Sequence, residues 1–172
     1  MKKHTYYLNL GSNLDDREGN IWAADLRLSI DLGLVTARSE MVDSEPWGFK
    51  SDNVFINRGI AVESVEEPLS ALQIIHRIER EMGSAQHRNS DGSYRDRLID
   101  IDIMAIDDMV VDEPTLQVPH RHLASRDFFL RPLAQLAPQW RHPVTGLTAA
   151  QMLAALHDNS CGQKLDNLRR ND

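Results

Sequence analysis

Two aspartates separated by one isoleucine are the residues of this chain best suited to chemistry. From Ile99 to Ile103 the sequence alternates apolar and acidic residues, which is the period-two pattern of a half-buried β-strand. Asp100 and Asp102 would then share one face of the strand, with their Cα atoms roughly 6.5–7 Å apart. Carboxylates this close repel each other unless a positive charge lies beside them. Mg²⁺ suits such a pair because it takes one or two carboxylates and completes its shell with water and phosphate.

A strand face with arginine–aspartate pairs explains the same pattern without a metal. Arg95 and Arg97 precede the aspartates and could neutralise them, so both interpretations stay open from this stretch alone. Further arginines fall in the same third of the chain, at Arg88, Arg121, Arg126 and Arg131. The whole chain nevertheless has a formal charge of -7. A local basic cluster on an acidic protein favours a small anionic ligand over a nucleic acid, whose binding surface is basic.

Length and composition predict one globular domain over residues 1–172, with residues 159–172 as a polar tail. Of the 172 residues, 41% are hydrophobic and 26% are charged, which is ordinary for a globular chain with a proper core. No apolar run approaches the roughly eighteen residues that a membrane span needs. The single Cys161 fits a reducing compartment. We therefore expect a cytoplasmic protein, monomeric or homodimeric, that binds neither nucleic acid nor membrane.

The order of strand and helix patterns predicts the fold class. Strands are expected at Thr5–Leu10, from Leu34 to Ser39 or Ser44, at Val54–Val65 and around Ile99–Ile103, and helices from Asp15 and Asp16 to Asp31 and at Pro68–Met82. The order βαββαβ is that of an α+β, ferredoxin-like core, an antiparallel sheet with helices packed on its face or faces. Additions follow at the C-terminal end, partly helical over 122–136 and helical over 147–157.

Three other polar positions are candidates for a site. His120-Arg121-His122 contains a His-x-His pair that could bind a metal in a hydrolase, although a role in orienting phosphate or capping the next helix is the favoured interpretation. Asn57 lies in an apolar strand, where a buried amide can present a donor and an acceptor to a planar heterocycle. Glu79 lies on a charge-rich helix face, which by itself indicates only a solvated surface. The chain has no P-loop and no Gly-x-Gly-x-x-Gly after a strand.

Four blocks of sequence, taken together, resemble one known family. They are Tyr7–Leu14, Asn53–Asn57, Arg97–Met104, and the stretch from Val118 through Leu133. The third block is the most specific, because it is close to an Arg-x-hydrophobic-Asp-hydrophobic-Asp signature. On these residues the chain resembles the 6-hydroxymethyl-7,8-dihydropterin pyrophosphokinase family of folate biosynthesis.

The resemblance implies a reaction and a set of site residues. The β,γ-pyrophosphoryl group of ATP would pass to the hydroxymethyl group of the reduced pterin, releasing AMP. Asp100 and Asp102 would hold two Mg²⁺ ions, with Arg97 as a catalytic arginine beside them. The residues implied for ATP are Glu79, Arg97, His120, Arg126 and Tyr94. Those implied for the pterin are Ser44, Trp47, Phe55, Asn57 and Phe128, with the two phenylalanines on either side of the ring and Asn57 at its edge.

The loop after the second predicted helix departs from the family. Many members have Gly-Arg-x-Arg there, whereas this chain has Ser84 after Gly83, and Arg88 would take over as the loop's catalytic arginine. Because such an arginine can be worth several orders of magnitude in phosphoryl transfer, the alternative is a catalytically weak or repurposed homologue that binds pterin or nucleotide. We also expect the polar segment Ser84–Tyr94 to close over bound ATP.

Overall fold

A four-stranded antiparallel sheet forms the centre of the computed structural model, which describes residues 2–46, 53–83 and 97–158. The strands are β1 (His4–Ser12), β2 (Leu34–Ser44), β3 (Phe55–Ser64) and β4 (Asp100–Ile106), in the spatial order β2-β3-β1-β4. Helix α1 (Arg17–Asp31) connects β1 to β2, and helix α2 (Pro68–Glu81) lies between β3 and β4. The predicted ferredoxin-like α+β core is therefore confirmed.

Helices α1 and α2 cover one face of this sheet. Tyr6, Leu8 and Leu10 alternate along the central strand β1, and all three are fully buried in the core beneath these helices. The two helices begin where the sequence predicts. Asp16 accepts a hydrogen bond from the backbone N–H of Gly19 at 3.0 Å, which caps α1, and α2 has a proline in its first turn.

The opposite face carries the C-terminal additions. A short 3₁₀ helix (Leu123–Ser125) is followed by α3 (Asp127–Leu136) and by α4 (residues 149–158). Helix α3 packs closely over β3, because a Cβ added to Gly59 would lie only 2.7 Å from the Cβ of Pro132. Phe129, Leu130 and Leu133 form a second core on this face. No helix in the described ranges is long and apolar enough to cross a membrane.

A small hairpin, absent from the predicted elements, leads the chain back to the sheet. It consists of β5 (Val111–Glu113) and β6 (Leu116–Val118), which pair antiparallel. Just beyond it, the backbone N–H of His120 donates to the carbonyl oxygen of Met104 at 2.9 Å. This bond attaches the segment after β6 to β4, the edge strand that carries both aspartates.

Candidate functional site

The aspartate pair lies on the sheet face that α3 only partly covers. Asp100 is aligned with Gly11 and Asp102 with Asn9 on the neighbouring strand β1, and both carboxylates are half-buried. The isoleucines between and beyond them are buried in the core on the other face, so the predicted alternation is confirmed. Arg97 approaches from the residues before β4, with its Nη1 atom 2.5 Å from Oδ2 of Asp100.

Arg97 is held in place by the end of β1. The backbone N–H of Arg97 donates to Oδ1 of Asn13 at 2.7 Å, and the backbone N–H of Asn13 donates to the carbonyl oxygen of Arg97 at 3.2 Å. Asn13 is only 2% exposed. A buried residue that bonds the same backbone once through its side chain and once through its own N–H fixes the position from which the arginine reaches Asp100.

Negative charge is in surplus around the pair. Burial and the nearby Asp100 raise the pKa of Asp102, while Arg126 and Arg97 oppose that rise. Burial, together with Asp100, raises the pKa of Glu79 to about 8, although its Oε1 atom accepts the backbone N–H of Ile101 at 2.9 Å. A cation placed between the carboxylates would relieve this repulsion.

The protein ligands available at the site fit Mg²⁺ better than they fit a metal ion coordinated entirely by protein side chains. Among the described residues, no group of three or more His, Cys, Asp or Glu side chains is arranged to hold a metal ion. An ion on Asp100 and Asp102 would therefore take its other ligands from water or from phosphate oxygens. This is how Mg²⁺ usually binds, because it gives up its water shell reluctantly and favours one or two carboxylates.

His120 is a neutral donor facing the same carboxylates. Its Nδ1 atom accepts the backbone N–H of His122 at 3.1 Å, which leaves the proton on Nε2, 3.9 Å from Oδ1 of Asp102. Burial and the positive charge of Arg126 lower the pKa of His120 to about 4, so the ring is neutral at pH 7. Since Nδ1 is occupied, His120 offers only Nε2 to a ligand.

A cavity of about 170 Å³, called here the first cavity, opens beside the aspartates. Two aromatic rings, Phe55 and Phe128, contribute to its lining. Polar groups at one side form a chain of hydrogen bonds: Nδ2 of Asn57 donates to Oγ of Ser44 at 2.7 Å, and Nδ2 of Asn9 donates to Oδ1 of Asn57 at 3.1 Å. Aromatic residues and amides that line one small cavity suit a flat, polar heterocycle.

Arg126, which also lines the first cavity, is packed against the start of α3. Its guanidinium carbon lies 5.6 Å from the ring centre of Phe128 and 5.2 Å from that of Phe129. The ring of His120 contacts the same Phe129 edge-on, with centroids 4.8 Å apart. A cation and a neutral donor are therefore oriented by shared aromatic packing.

A second cavity, of about 510 Å³, lies along the outer edge of β4. Glu79 and His76 from α2 line it on one side, and Gln117 from β6 lines it on another. Five residues line both cavities: Arg97, Asp100, Asp102, His120 and Arg121. Two ligands could therefore approach one carboxylate pair from different sides.

The structure brings together most of the residues predicted from sequence. Those that line one or both cavities are Ser44, Phe55, Asn57, Glu79, Arg97, Asp100, Asp102, His120, Arg126 and Phe128. Trp47, Arg88 and Tyr94, and the Ser84–Tyr94 segment as a whole, lie outside the described residues. Sequence reasoning missed Asn9 and Asn13. Asn9 carries the signal that singled out Asn57, a polar residue within an apolar strand.

The fold and the site define an α+β protein with two cavities that share a pair of aspartates. Comparison with known proteins narrows this class. The family model for 7,8-dihydro-6-hydroxymethylpterin-pyrophosphokinase (HPPK) matches residues 7–138. The chain belongs to this family. The predicted family and the predicted activity, pyrophosphate transfer from ATP to hydroxymethyldihydropterin in folate biosynthesis, are thereby confirmed.

Relatives in other organisms are similar over most of their length. A 2-amino-4-hydroxy-6-hydroxymethyldihydropteridine pyrophosphokinase of Porphyromonas gingivalis is 42% identical over 138 residues, covering 80% of this chain and 92% of its own. One from Pseudomonas aeruginosa is 35% identical over 150 residues, covering 87% and 90%. The crystal structure of Plasmodium falciparum HPPK-DHPS wild type with SDX-DHP has a TM-score of 0.76 at 17% identity. That match covers 94% of this chain but 46% of the Plasmodium chain, and it shows the fold alone.

Proposed function

We propose that the chain transfers the pyrophosphoryl group with two Mg²⁺ ions on Asp100 and Asp102, ATP in the second cavity and the pterin in the first. The observation that carries this assignment is that the two cavities share both aspartates. The hydroxymethyl oxygen of the pterin forms a bond to the β-phosphorus of ATP. The bond from that phosphorus to the bridging α,β-oxygen breaks, AMP leaves, and the hydroxyl proton passes to solvent.

The size and lining of each cavity support this placement of the substrates. The first cavity is the smaller, and its lining of two phenylalanines, Asn57 and Ser44 suits a single bicyclic ring. The second cavity has about three times its volume and a polar lining, which suits a nucleotide. The reacting ends of the two substrates would then meet at the shared residues, where Arg97 and the aspartates lie.

The metal ions would neutralise charge that develops on the phosphates and help to ionise the attacking hydroxyl. The chain's own contribution is positioning and electrostatics. Arg97 and Arg126 supply positive charge near Asp102 and oppose the rise of its pKa. His120, neutral and protonated on Nε2, can donate a hydrogen bond to a phosphate oxygen without adding charge.

The first experiment measures AMP release from ATP, with and without 6-hydroxymethyl-7,8-dihydropterin and with and without Mg²⁺. We expect AMP only when ATP, pterin and Mg²⁺ are all present. AMP formed without the pterin would mean that the nucleotide is simply hydrolysed. AMP formed equally well in EDTA would refute the metal requirement.

Replacing either aspartate tests the metal site. In Asp100→Ala and Asp102→Ala we expect turnover to fall by at least about 10³-fold, because losing a charge-stabilising element of phosphoryl transfer is worth that much. The thermal unfolding transition should persist, since both side chains lie outside the two hydrophobic cores. Asp108→Ala, an exposed carboxylate beyond the far end of β4, is the matched control and should keep near-normal turnover. Near-normal turnover in both test variants would place the metal elsewhere.

The alternative function is pterin or nucleotide binding without efficient transfer, and Ser84 in the place of a loop arginine favours it. Tight pterin binding by calorimetry with no AMP would select this alternative. We further propose that residues 1–172 act as one domain in the cytoplasm, supported by the single cysteine and by a family match that spans most of the chain. Sedimentation of the purified protein would distinguish monomer from homodimer.

A further inference from the structure

Asn9 has a buried polar atom that the described residues leave without a partner. The side chain lies in the middle of β1, is 2% exposed, and lines the first cavity. Its Nδ2 atom donates to Asn57, but its Oδ1 atom has no hydrogen-bond partner within the described ranges. Leaving a buried amide oxygen unsatisfied destabilises the folded state, so a group of this kind at a cavity indicates a ligand that supplies the donor.

The direction of the hydrogen bonds shows what that ligand must offer. Along the chain of three side chains, Asn57 donates to Ser44 and Asn9 donates to Asn57. The amide of Asn9 has thus used one of its two N–H donors on the protein, and Oδ1 is the atom that the described residues leave unsatisfied. A ligand that satisfies Oδ1 must therefore carry an N–H or O–H group, and it must be thin enough to enter a cavity lined by phenylalanines.

We propose that Asn9 determines substrate specificity by accepting, at Oδ1, a hydrogen bond from an N–H of the bound pterin ring. This inference rests on the proposed function, because it takes the first cavity as the pterin site. The reduced pterin carries several N–H groups, on its amino substituent and on both rings, and no carbonyl or tertiary nitrogen could replace them at this acceptor. Asn9 and Asn57 together would then discriminate among heterocycles by the pattern of donors along one edge.

A metal ion is the competing occupant. Mg²⁺ prefers oxygen atoms such as Oδ1 of Asn9 as ligands, and Asn9 is aligned with Asp102 across the strands. The bond between Asn9 and Asn57 favours the ring, because it ties the Asn9 amide to the polar side of the aromatic-lined cavity. The two occupants differ in their dependence on Mg²⁺. Binding of the pterin to Asn9 would persist in EDTA, whereas a metal contact would not.

The test is a calorimetric cycle on the full chain in EDTA. We expect Asn9→Ala to weaken binding of 6-hydroxymethyl-7,8-dihydropterin about tenfold, the loss of roughly one well-formed hydrogen bond. Analogues that each lack one donor group, such as oxidised 6-hydroxymethylpterin without N8–H and a 2-desamino pterin without the amino group, should include one that loses affinity for the wild type but not for Asn9→Ala. Ser64→Ala is the control, because it removes a buried polar group at the far end of β3.

Each outcome decides the matter. If every analogue loses the same factor in Asn9→Ala as in the wild type, Oδ1 does not contact the ring, and the inference fails. If Asn9→Ala changes only the Mg²⁺ dependence of ATP binding, the metal is the occupant and the inference fails. If the wild type binds the pterin in the expected pattern but makes no AMP, the inference stands while the proposed function fails. If the wild type binds the pterin neither in EDTA nor together with Mg²⁺ and a non-hydrolysable ATP analogue, both fail.

Discussion

Glu79 shows how the fold can bury a residue of α2 that the sequence alone places on a solvated helix face. From the sequence it lies on a charged helix face, and such a face is usually solvated. In the fold it is 2% exposed, and its carboxyl group accepts the N–H of Ile101 on β4. Because β4 is an edge strand, this N–H has no strand partner, and a side chain of α2 satisfies it instead.

The pKa of Glu79 predicts how stability depends on pH. The folded value of about 8 exceeds the ordinary 4.5, so the folded state binds the proton more tightly than the unfolded state. The contribution of the Glu79 proton to stability without ligand is therefore fully present below about pH 4.5 and is lost as the pH rises through 8. Glu79→Gln keeps an oxygen for Ile101 but cannot ionise. We expect its free energy of unfolding, relative to the wild type, to rise by about 1–3 kcal/mol between pH 5 and pH 8.5.

Urea unfolding in EDTA at the two pH values measures this change. Glu81→Gln is the control, because it alters the last turn of the same helix at a half-exposed carboxylate. A difference between Glu79→Gln and the wild type that is the same at both pH values would contradict the prediction.

Some residues of the site could be predicted from sequence, and others could not. The placement of Asp100 and Asp102 could be predicted because it depends on one strand only. The alternation of residues within that strand places both aspartates on one face. The role of Asn13 is not local, since it depends on β1 lying beside β4 and on the register that brings residue 13 to residue 97. Asn9 is an intermediate case. Its polarity in an apolar strand is visible, but its bond to Asn57 requires the pairing of β1 with β3.

At the scale of elements, the turn after β1 holds the backbone just before β4 in place. The pair of hydrogen bonds between Asn13 and Arg97 is called the clamp here. Asn13 makes two hydrogen bonds to the backbone of Arg97, one with its side chain and one with its own N–H, and the arginine then reaches Asp100. The end of β1 therefore fixes the position of the backbone that leads into β4. The same sequence pattern, Gly-Ser-Asn after a strand, predicts only a turn.

Removing the clamp should affect the rate more than the binding of either substrate. In Asn13→Ala the backbone before β4 loses its buried acceptor, and we expect kcat to fall about 10- to 100-fold, because small displacements of a positioning group are costly in the transition state. Asn13→Asp retains an oxygen for the N–H of Arg97 and should recover most of the rate. The measurement is a set of kcat and KM values for both substrates, below the unfolding temperature of each variant.

The control for this series is Asn20→Ala. Asn20 donates to Ser12 and to the carbonyl oxygen of Leu14, so it supports the same turn without contacting Arg97. If Asn20→Ala lowers kcat as much as Asn13→Ala, the turn as a whole matters and the clamp has no special role. Equal loss in the alanine and aspartate variants would lead to the same conclusion.

Sequence patterns at this scale give the order of elements but not the faces they cover. The 3.6-residue and two-residue periods are enough for β1, α1, β2, β3, α2 and β4. That α3 packs on the opposite face follows from contacts distant in sequence, such as Pro132 against Gly59. This packing matters for the site, because α3 covers part of that face and brings Arg126 and Phe128 to the uncovered end, beside Asp102.

For the whole molecule, the main consequence of the fold is that two cavities meet at one edge strand. The chain is acidic overall, yet Arg97 and Arg121 lie where the cavities join, among the aspartates. We therefore expect a ligand in either cavity to change the charge around side chains that the other ligand must contact. Any coupling between the two binding equilibria is necessarily the same in both directions.

We expect a non-hydrolysable ATP analogue with Mg²⁺ to tighten pterin binding by roughly tenfold, and the pterin to tighten binding of the analogue by the same factor. The physical reason is that the repulsion among Asp100, Asp102 and Glu79 is neutralised once, by the first ligand with its metal, and the second ligand then binds to side chains already in place.

Asp102→Asn should bring the factor close to one, since it removes part of that repulsion beforehand, while pterin binding alone stays near the wild-type affinity. Asp108→Asn should leave the factor unchanged. Calorimetric titration of each ligand with and without the other measures both factors, and a wild-type factor of one would show that the two cavities act independently despite their shared residues.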